Sequence, residues 1–294
     1  MISLLSHVIS GALVGLLYAL IAMGFVIIYR SAKVFNLAQG EFVVVGAFLI
    51  WSFSQYFNLS LWLSLVLAFV CSAILGFLVE RIILRPLVGE KLFALIMVTI
   101  GLMVFMRGLS LVIWGPSVHF IPPIFPIKSL KLGPFMLDWG LVIGSGVTVV
   151  MATLFSWFFN HTRMGMEMTA VAEDHQIALS LGLNVKRSIA LAWALSGILC
   201  TLSAVVFLSG KGMTFLVGDI GLAALPVALL AGLESIGGLL LAGLLIGVSM
   251  GLAEYFLDPI FQGGVVAVFP FAIMIIILLI RPSGLFGWKT IERI

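Results

Sequence analysis

Apolar runs of membrane-spanning length follow one another along almost the whole chain, and this restricts the fold more than any motif does. About 20 apolar residues cross a hydrocarbon core as an α-helix, where every backbone group is satisfied within the segment. The runs lie at about 5–29, 37–57, 60–80, 93–114, 138–159, 188–208, 236–257 and 265–280, with a shorter one at about 219–232. They are too long for the strands of an outer-membrane barrel, and the alternation such strands require is absent. Only 9% of the residues are charged and mean hydropathy is +1.29, against about 25% charged in a soluble domain. The expected fold class is therefore an all-α polytopic membrane protein, one transmembrane domain over 1–294 with about eight or nine transmembrane helices embedded in a lipid bilayer.

Lysine and arginine orient the spans. With the N-terminus outside, Arg30, Lys33, Arg81, Arg85, Lys91, Arg163, Lys186, Arg187, Arg281, Lys289 and Arg293 fall inside. Lys128, Lys131 and Lys211 fall outside, and Arg107 lies within a span. This bias places the C-terminus in the cytoplasm and the N-terminus in the periplasm. Opposite sides require an odd number of crossings, so nine, unless 219–232 is re-entrant. The first positive charge is Arg30, so the basic start of a cleaved signal peptide is missing and 1–29 reads as a retained span. The net charge of +3 carries no basic run longer than two residues, so no nucleic-acid partner is expected. Cys71 and Cys200 read as small buried hydrophobes, and the scattered histidines suggest no metal site.

One hydrophilic island, 161–187, interrupts the pattern. Met164, Met168, Val171, Ile177, Ala178 and Leu181 recur at helical spacing, which predicts an amphipathic helix over 165–181. Gly182 is placed to end it and Asn184 to cap the next helix. It is read either as an interfacial anchor or as a docking knob. The loop 115–137 carries Pro116, Pro122, Pro123, Pro126 and Pro134. It is expected to be stiff, as an inert tether or a contact surface.

Two stretches inside the apolar pattern are candidates for a solute path. Asn36, Gln39, Gly40 and Glu41 open the second span. They read either as a capped helix start, with Asn36 as N-cap, or as a broken helix lining a cavity. Gly218, Asp219 and Gly221 precede, and Gly232 follows, the short segment carrying Pro226, which suits a gate or close helix packing. Gly243, Gly247 and Gly251 continue a small-residue packing stripe. Arg107 is expected to snorkel to the outer surface or to pair with Asp138 or Glu254.

Ser209-Gly210-Lys211-Gly212 lacks the residues of a phosphate-binding loop, and no catalytic set or carboxylate relay is visible. The chain reads as a transport subunit, not an enzyme, with no cofactor of its own and energy delivered by a docked partner.

Several motifs in order resemble the permease subunits of branched-chain amino acid ABC importers, the hydrophobic amino acid uptake family. They are Gly15 to Gly24 with Tyr29-Arg30, Asn36-Leu37-Ala38-Gln39-Gly40-Glu41, Arg85-Pro86-Leu87, Thr99-Ile100-Gly101, Ala172-Glu173-Asp174 with Ala178 and Gly182, and Arg281-Pro282-Ser283-Gly284-Leu285-Phe286-Gly287. The chain departs from the family's longer glycine run at Ala231-Gly232-Leu233-Glu234-Ser235. The resemblance implies an inner-membrane importer of branched-chain or related small solutes, working by alternating access. Its partners would be a paralogous permease, two cytoplasmic ATPases holding ATP and magnesium, and a periplasmic solute-binding protein. Ala170, Ala172, Glu173, Asp174, Ala178 and Gly182 would then couple to the ATPase, with 165–181 filling a groove on it. The other reading is a stand-alone channel or secondary transporter for a small polar solute such as urea or an amide.

Overall fold

The computed structural model describes residues 2–87, 89–126, 129–132, 135–261 and 263–287. Lys128, Pro134, Lys289 and Arg293 lie outside them. α1 (Ile2–Ala32) is followed by α2 (Gln39–Trp51), which continues through a π-helical turn at Ser52–Tyr56. α3 (Leu61–Val79) runs on through a π-helical turn at Glu80–Leu84 and a 3-10 turn at Arg85–Leu87, and α4 (Leu92–Trp114) returns. Then come β1 (His119–Phe120), β2 (Ser129–Leu132), β3 (Phe135–Asp138), α5 (Trp139–His161), α6 (Arg163–Glu173) and α7 (His175–Ser180). α8 (Val185–Leu208), β4 (Gly212–Met213), α9 (Asp219–Ala231), α10 (Ile236–Phe256), α11 (Asp258–Phe261) and α12 (Val265–Ile280) complete the chain.

Six of these helices are long and apolar enough to cross a membrane, and two shorter apolar stretches, Phe215–Ala231 and Val265–Ile280, join them. Each span lies within a few residues of its expected place. The strands are confined to one end: β2 pairs with β3, and β1 with β4. We call this the loop end, and the opposite end, with α6 and α7, the knob end. The proline-rich loop is not a free tether. Ile121 is buried and its N–H donates to the Lys211 carbonyl, while the Ser209 hydroxyl accepts from the N–H groups of Ile124 and Phe125.

The short segment crosses and does not turn back. Gly212 pairs with Phe120 at the loop end, and Glu234 meets Lys33 at the knob end. A 3-10 turn over Phe215–Gly218 leads into α9, which keeps its helix past Pro226 to the left-handed Gly232. The missing proline donor does not end it, since α9 lies buried among other helices.

α1 is the central post, with Leu20, Ile21, Ala22 and Met23 wholly buried. Its Gly11 and Gly15 lie backbone to backbone against Gly243 and Gly247 of α10, and Gly251 lies against His7. Helices in lipid gain association energy from such close approach. Gly247→Leu drives a side chain into the α1 backbone, and overpacking of this kind costs about 1–3 kcal/mol. The variant should melt well below the parent protein in detergent; an unchanged melting temperature would refute this packing role.

The island is the main departure from expectation. It is not one helix over 165–181 but two, broken at Asp174, whose backbone is extended (φ −152°, ψ 111°). The Asp174 carboxylate accepts from the N–H of Ile177, capping α7. This local bond competes with continued helix, as short acidic side chains do. The break re-aims the apolar residues: Met168, Val171 and Ala178 are buried, but Met164, Ile177 and Leu181 are exposed. Gly182 ends α7 with φ +76° and Asn184 caps α8, both as expected.

Candidate functional site

The two glycine-rich stretches, far apart in sequence, meet. After α1 the chain turns at Lys33, in the left-handed region (φ 51°). The Asn36 side chain accepts from the Ala38 N–H, two residues on. It is therefore a turn former and not the N-cap of α2, a position held by Ala38. Asn36 Nδ2 donates to Gln39 Oε1 at 3.1 Å. Gln39 Nε2 donates to Ser196 Oγ and Cys200 Sγ in α8, both at 3.0 Å. Asn36 and Gln39 are thus buried and satisfied, and they pin the start of α2 to α8.

Gly40 and Glu41 face the other way. Gly40 touches the Gly218 carbonyl and the Gly221 backbone, leaving no room for a β-carbon on either side. Beside this crossing, Arg107 of α4 donates from Nε to Glu41 Oε1 at 2.8 Å and from Nη2 to Asp219 Oδ1 at 2.7 Å. Arg107 therefore neither snorkels nor pairs with Asp138 or Glu254. It turns inward because the α2 start and the α9 start bring two carboxylates to its own depth. That depth follows from the Trp114 Nε1 to Ser52 Oγ bond, which aligns the loop ends of α4 and α2. Arg107 is seven residues from Trp114 and Glu41 eleven from Ser52, roughly 10 and 16 Å at 1.5 Å per residue. Set against a hydrocarbon core about 30 Å thick, these depths are a third to a half of the way in from the loop end. Glu41 is 1% exposed, Arg107 30% and Asp219 61%. Glu41 Oε2 is buried without a partner among the described residues.

Gly232 does not join this cluster. It lies at the far end of α9, against Gly287, Ser283 and Gly284, where the Leu285 N–H donates to the Leu230 carbonyl at 2.7 Å. The C-terminal Arg-Pro-Ser-Gly-Leu-Phe-Gly segment thus seals the knob end of α9.

A second polar centre stands there. Lys33 Nζ donates to Glu234 Oε1 at 2.5 Å and to Glu173 Oε1 at 3.3 Å. Burial alone would lower the Lys33 pKa, but the bonds and charges of Glu234 and Glu173 hold it above the ordinary lysine range. A raised pKa stabilises below the unfolded value and is lost only as pH rises through the folded one, so the bridge is complete at neutral pH. A cleft of about 350 Å³ opens beside it, lined by Arg30, Lys33, Asn160, Glu173, Glu234 and Phe286. Of the expected coupling residues, Ala172 and Ala178 hold the knob inward, Gly182 makes its turn, and Ala170, Glu173 and Asp174 are exposed. Lys33, Arg107 and Glu234 were missing from the expected sites, and Asp219 stood among them only as part of a glycine-rich break. A cation inside a span was the one signal that marked Arg107; their partners are set by the fold alone.

BraD of Pseudomonas aeruginosa, a high-affinity branched-chain amino acid transport system permease protein, is 28% identical over 99% of this chain and 98% of its own. LivH of Escherichia coli K12, of the same description, is 25% identical over 99% and 97%. A probable LivH of Methanocaldococcus jannaschii is 26% identical over 95% and 91%. Among solved structures, PsaBC from Streptococcus pneumoniae in complex with Fab aligns with TM-score 0.49 and 16% identity, over 95% of this chain and 91% of that one. A family model described as "Branched-chain amino acid transport system / permease component" matches residues 7–278, and the chain belongs to that family.

Proposed function

We propose that this chain is the membrane permease subunit of an ATP-binding-cassette importer of branched-chain amino acids. It works by alternating access, with ATP and magnesium held by two cytoplasmic ATPases that dock on the knob. A paralogous permease and a periplasmic solute-binding protein complete the unit. The membrane is the inner membrane, with the N-terminus periplasmic and the knob and C-terminus cytoplasmic; the Lys and Arg bias supports this orientation.

The observation that carries this reading is the two-sided knob. Its inner face is locked by Met168, Val171 and Ala178, while Ile177, Leu179 and Leu181 stand exposed on a polar projection. Exposed apolar side chains gathered at a charged, capped helix pair fit a protein partner. Lys33 links α6 to the end of α9, so a push on the knob reaches the segment that carries Asp219 and Gly221. Asn36 and Gln39 hold α2 still against α8 while Gly40, Glu41, Gly218 and Gly221 form the moving contact, with Gly232 as the far hinge.

The test is to purify the tagged subunit mildly, list what accompanies it, and reconstitute that complex in proteoliposomes. ATPase subunits should co-purify, and leucine on the binding protein should stimulate ATP hydrolysis and leucine uptake. Solute flux through the subunit alone, without ATPases, would instead establish a channel or secondary transporter.

A further inference from the structure

We propose that Arg107, with Asp219 and Glu41, forms a mid-membrane station that takes the solute as a zwitterion. The solute's α-carboxylate displaces Asp219 from the guanidinium, and its α-ammonium takes the carboxylate oxygens left free. The proposal rests on the importer reading above and deepens it.

Charges near the middle of a bilayer do not face lipid; they mark a path or a protein contact. Arg107 and Asp219 are both partly exposed on the flank of this chain, so that flank is polar at a depth where lipid is not. The two arms of the cluster differ. Glu41 Oε1 is buried, accepts from Nε and lies 2.8 Å from Nη2, an anchor for the guanidinium. Asp219 receives only Nη2 and is itself 61% exposed, so this arm can open with Arg107 still held.

The charge count leaves a vacancy of definite sign. One guanidinium faces two carboxyl groups, so with both ionised the acids outnumber the base by one. Among the described residues, Glu41 Oε2 is buried without a donor. An orphaned buried acceptor is costly, and a cationic donor satisfies it. The guanidinium in turn can offer its fork to a planar carboxylate in place of Asp219. A zwitterion supplies both groups at the spacing of one α-carbon. Urea or an amide supplies neither charge, and a monoanion or a monocation leaves one partner unpaired. Sites built to pair polar groups reject solutes that lack them far better than apolar pockets reject size. The Gly40–Gly218–Gly221 crossing lets α2 and α9 separate here without withdrawing a side chain.

Saturation-transfer NMR detects weak, transient occupancy and does not need the solute-binding protein. The detergent-purified complex of permease and ATPase subunits, without the solute-binding protein, would be offered leucine, leucinamide and 4-methylpentanoate in turn. Leucine should give a clear signal, with both single-charge analogues weaker by on the order of tenfold. Arg107→Gln and Asp219→Asn should abolish the leucine signal, and Arg107→Lys should restore part of it, having the charge but not the fork. Melting temperature and subunit composition of each variant separate a lost site from a lost fold. Equal signals for the three solutes, no leucine signal in the parent complex, or a full signal in both neutral variants would overturn the proposal. If the parent complex still couples leucine uptake to ATP hydrolysis, the importer reading survives; loss of that coupling would sink the importer reading itself.

Discussion

Lys33→Glu should uncouple ATP hydrolysis from solute uptake while leaving the subunit inserted and its partners bound. Lys33 is the link between α6 and the chain that follows α9. Its two bonds are unequal. The Glu173 carboxylate is 61% exposed, and a pair that open to water is worth about 0–1 kcal/mol. Glu234 is less exposed and its bond is shorter, so Lys33 stays with α9 and α10 and can let the knob go. Reversing the charge sets three carboxylates together and repels the knob from the end of α9. Coupled uptake should fall by on the order of tenfold or more, as truncating a bonded charge pair does. Lys33→Arg should keep most of the coupling. Lys33→Gly removes the bridge but suits the left-handed backbone (φ 51°), so it should uncouple without destabilising the fold. Wild-type coupling ratios in Lys33→Glu proteoliposomes would end the relay reading.

The sequence disclosed the spans because bilayer thickness imposes a length that no soluble core imposes. Gly182 and Asn184 were legible for a similar reason: a left-handed turn and an N-cap are local requirements with few solutions. The Gly243, Gly247 and Gly251 stripe was legible as packing, though not that α1 supplies the opposing glycines. What remained hidden depends on tertiary neighbours. The periodicity of 165–181 holds across the break at Asp174, yet one extended residue rotates Ile177 and Leu181 outward. Asn36 suited a cap by type, but the Asx turn it makes shifts the helix start to Gln39. Arg107 could not be paired from sequence, since Glu41 and Asp219 lie 66 and 112 positions away. Sequence separation says nothing about depth in the bilayer, and depth decided the pairing.

Gly40→Leu should stop transport almost completely, and for a reason confined to one helix crossing. A β-carbon at Gly40 would fall on the Gly218 carbonyl oxygen, and one at Gly221 on the Gly40 backbone. Neither neighbour is a side chain that can swing aside. The leucine must push α9 away from α2, and Arg107 then cannot span Glu41 and Asp219 together. The cost of that overpacking, about 1–3 kcal/mol, is small beside the stability of a bundle held mainly elsewhere. The protein should therefore still insert and bind its partners. Uptake should drop by about a hundredfold, in line with the sensitivity of positioned sites to displacements of an ångström. Gly40→Ala should fall in between, since even one carbon forces a backbone shift. Gly146→Ala is the matched control: no described residue lies within 4 Å of a β-carbon at that position of α5. If Gly40→Leu and Gly146→Ala carried solute equally well, the α2–α9 crossing would be passive packing, and the moving contact would have to be sought at another place in the bundle.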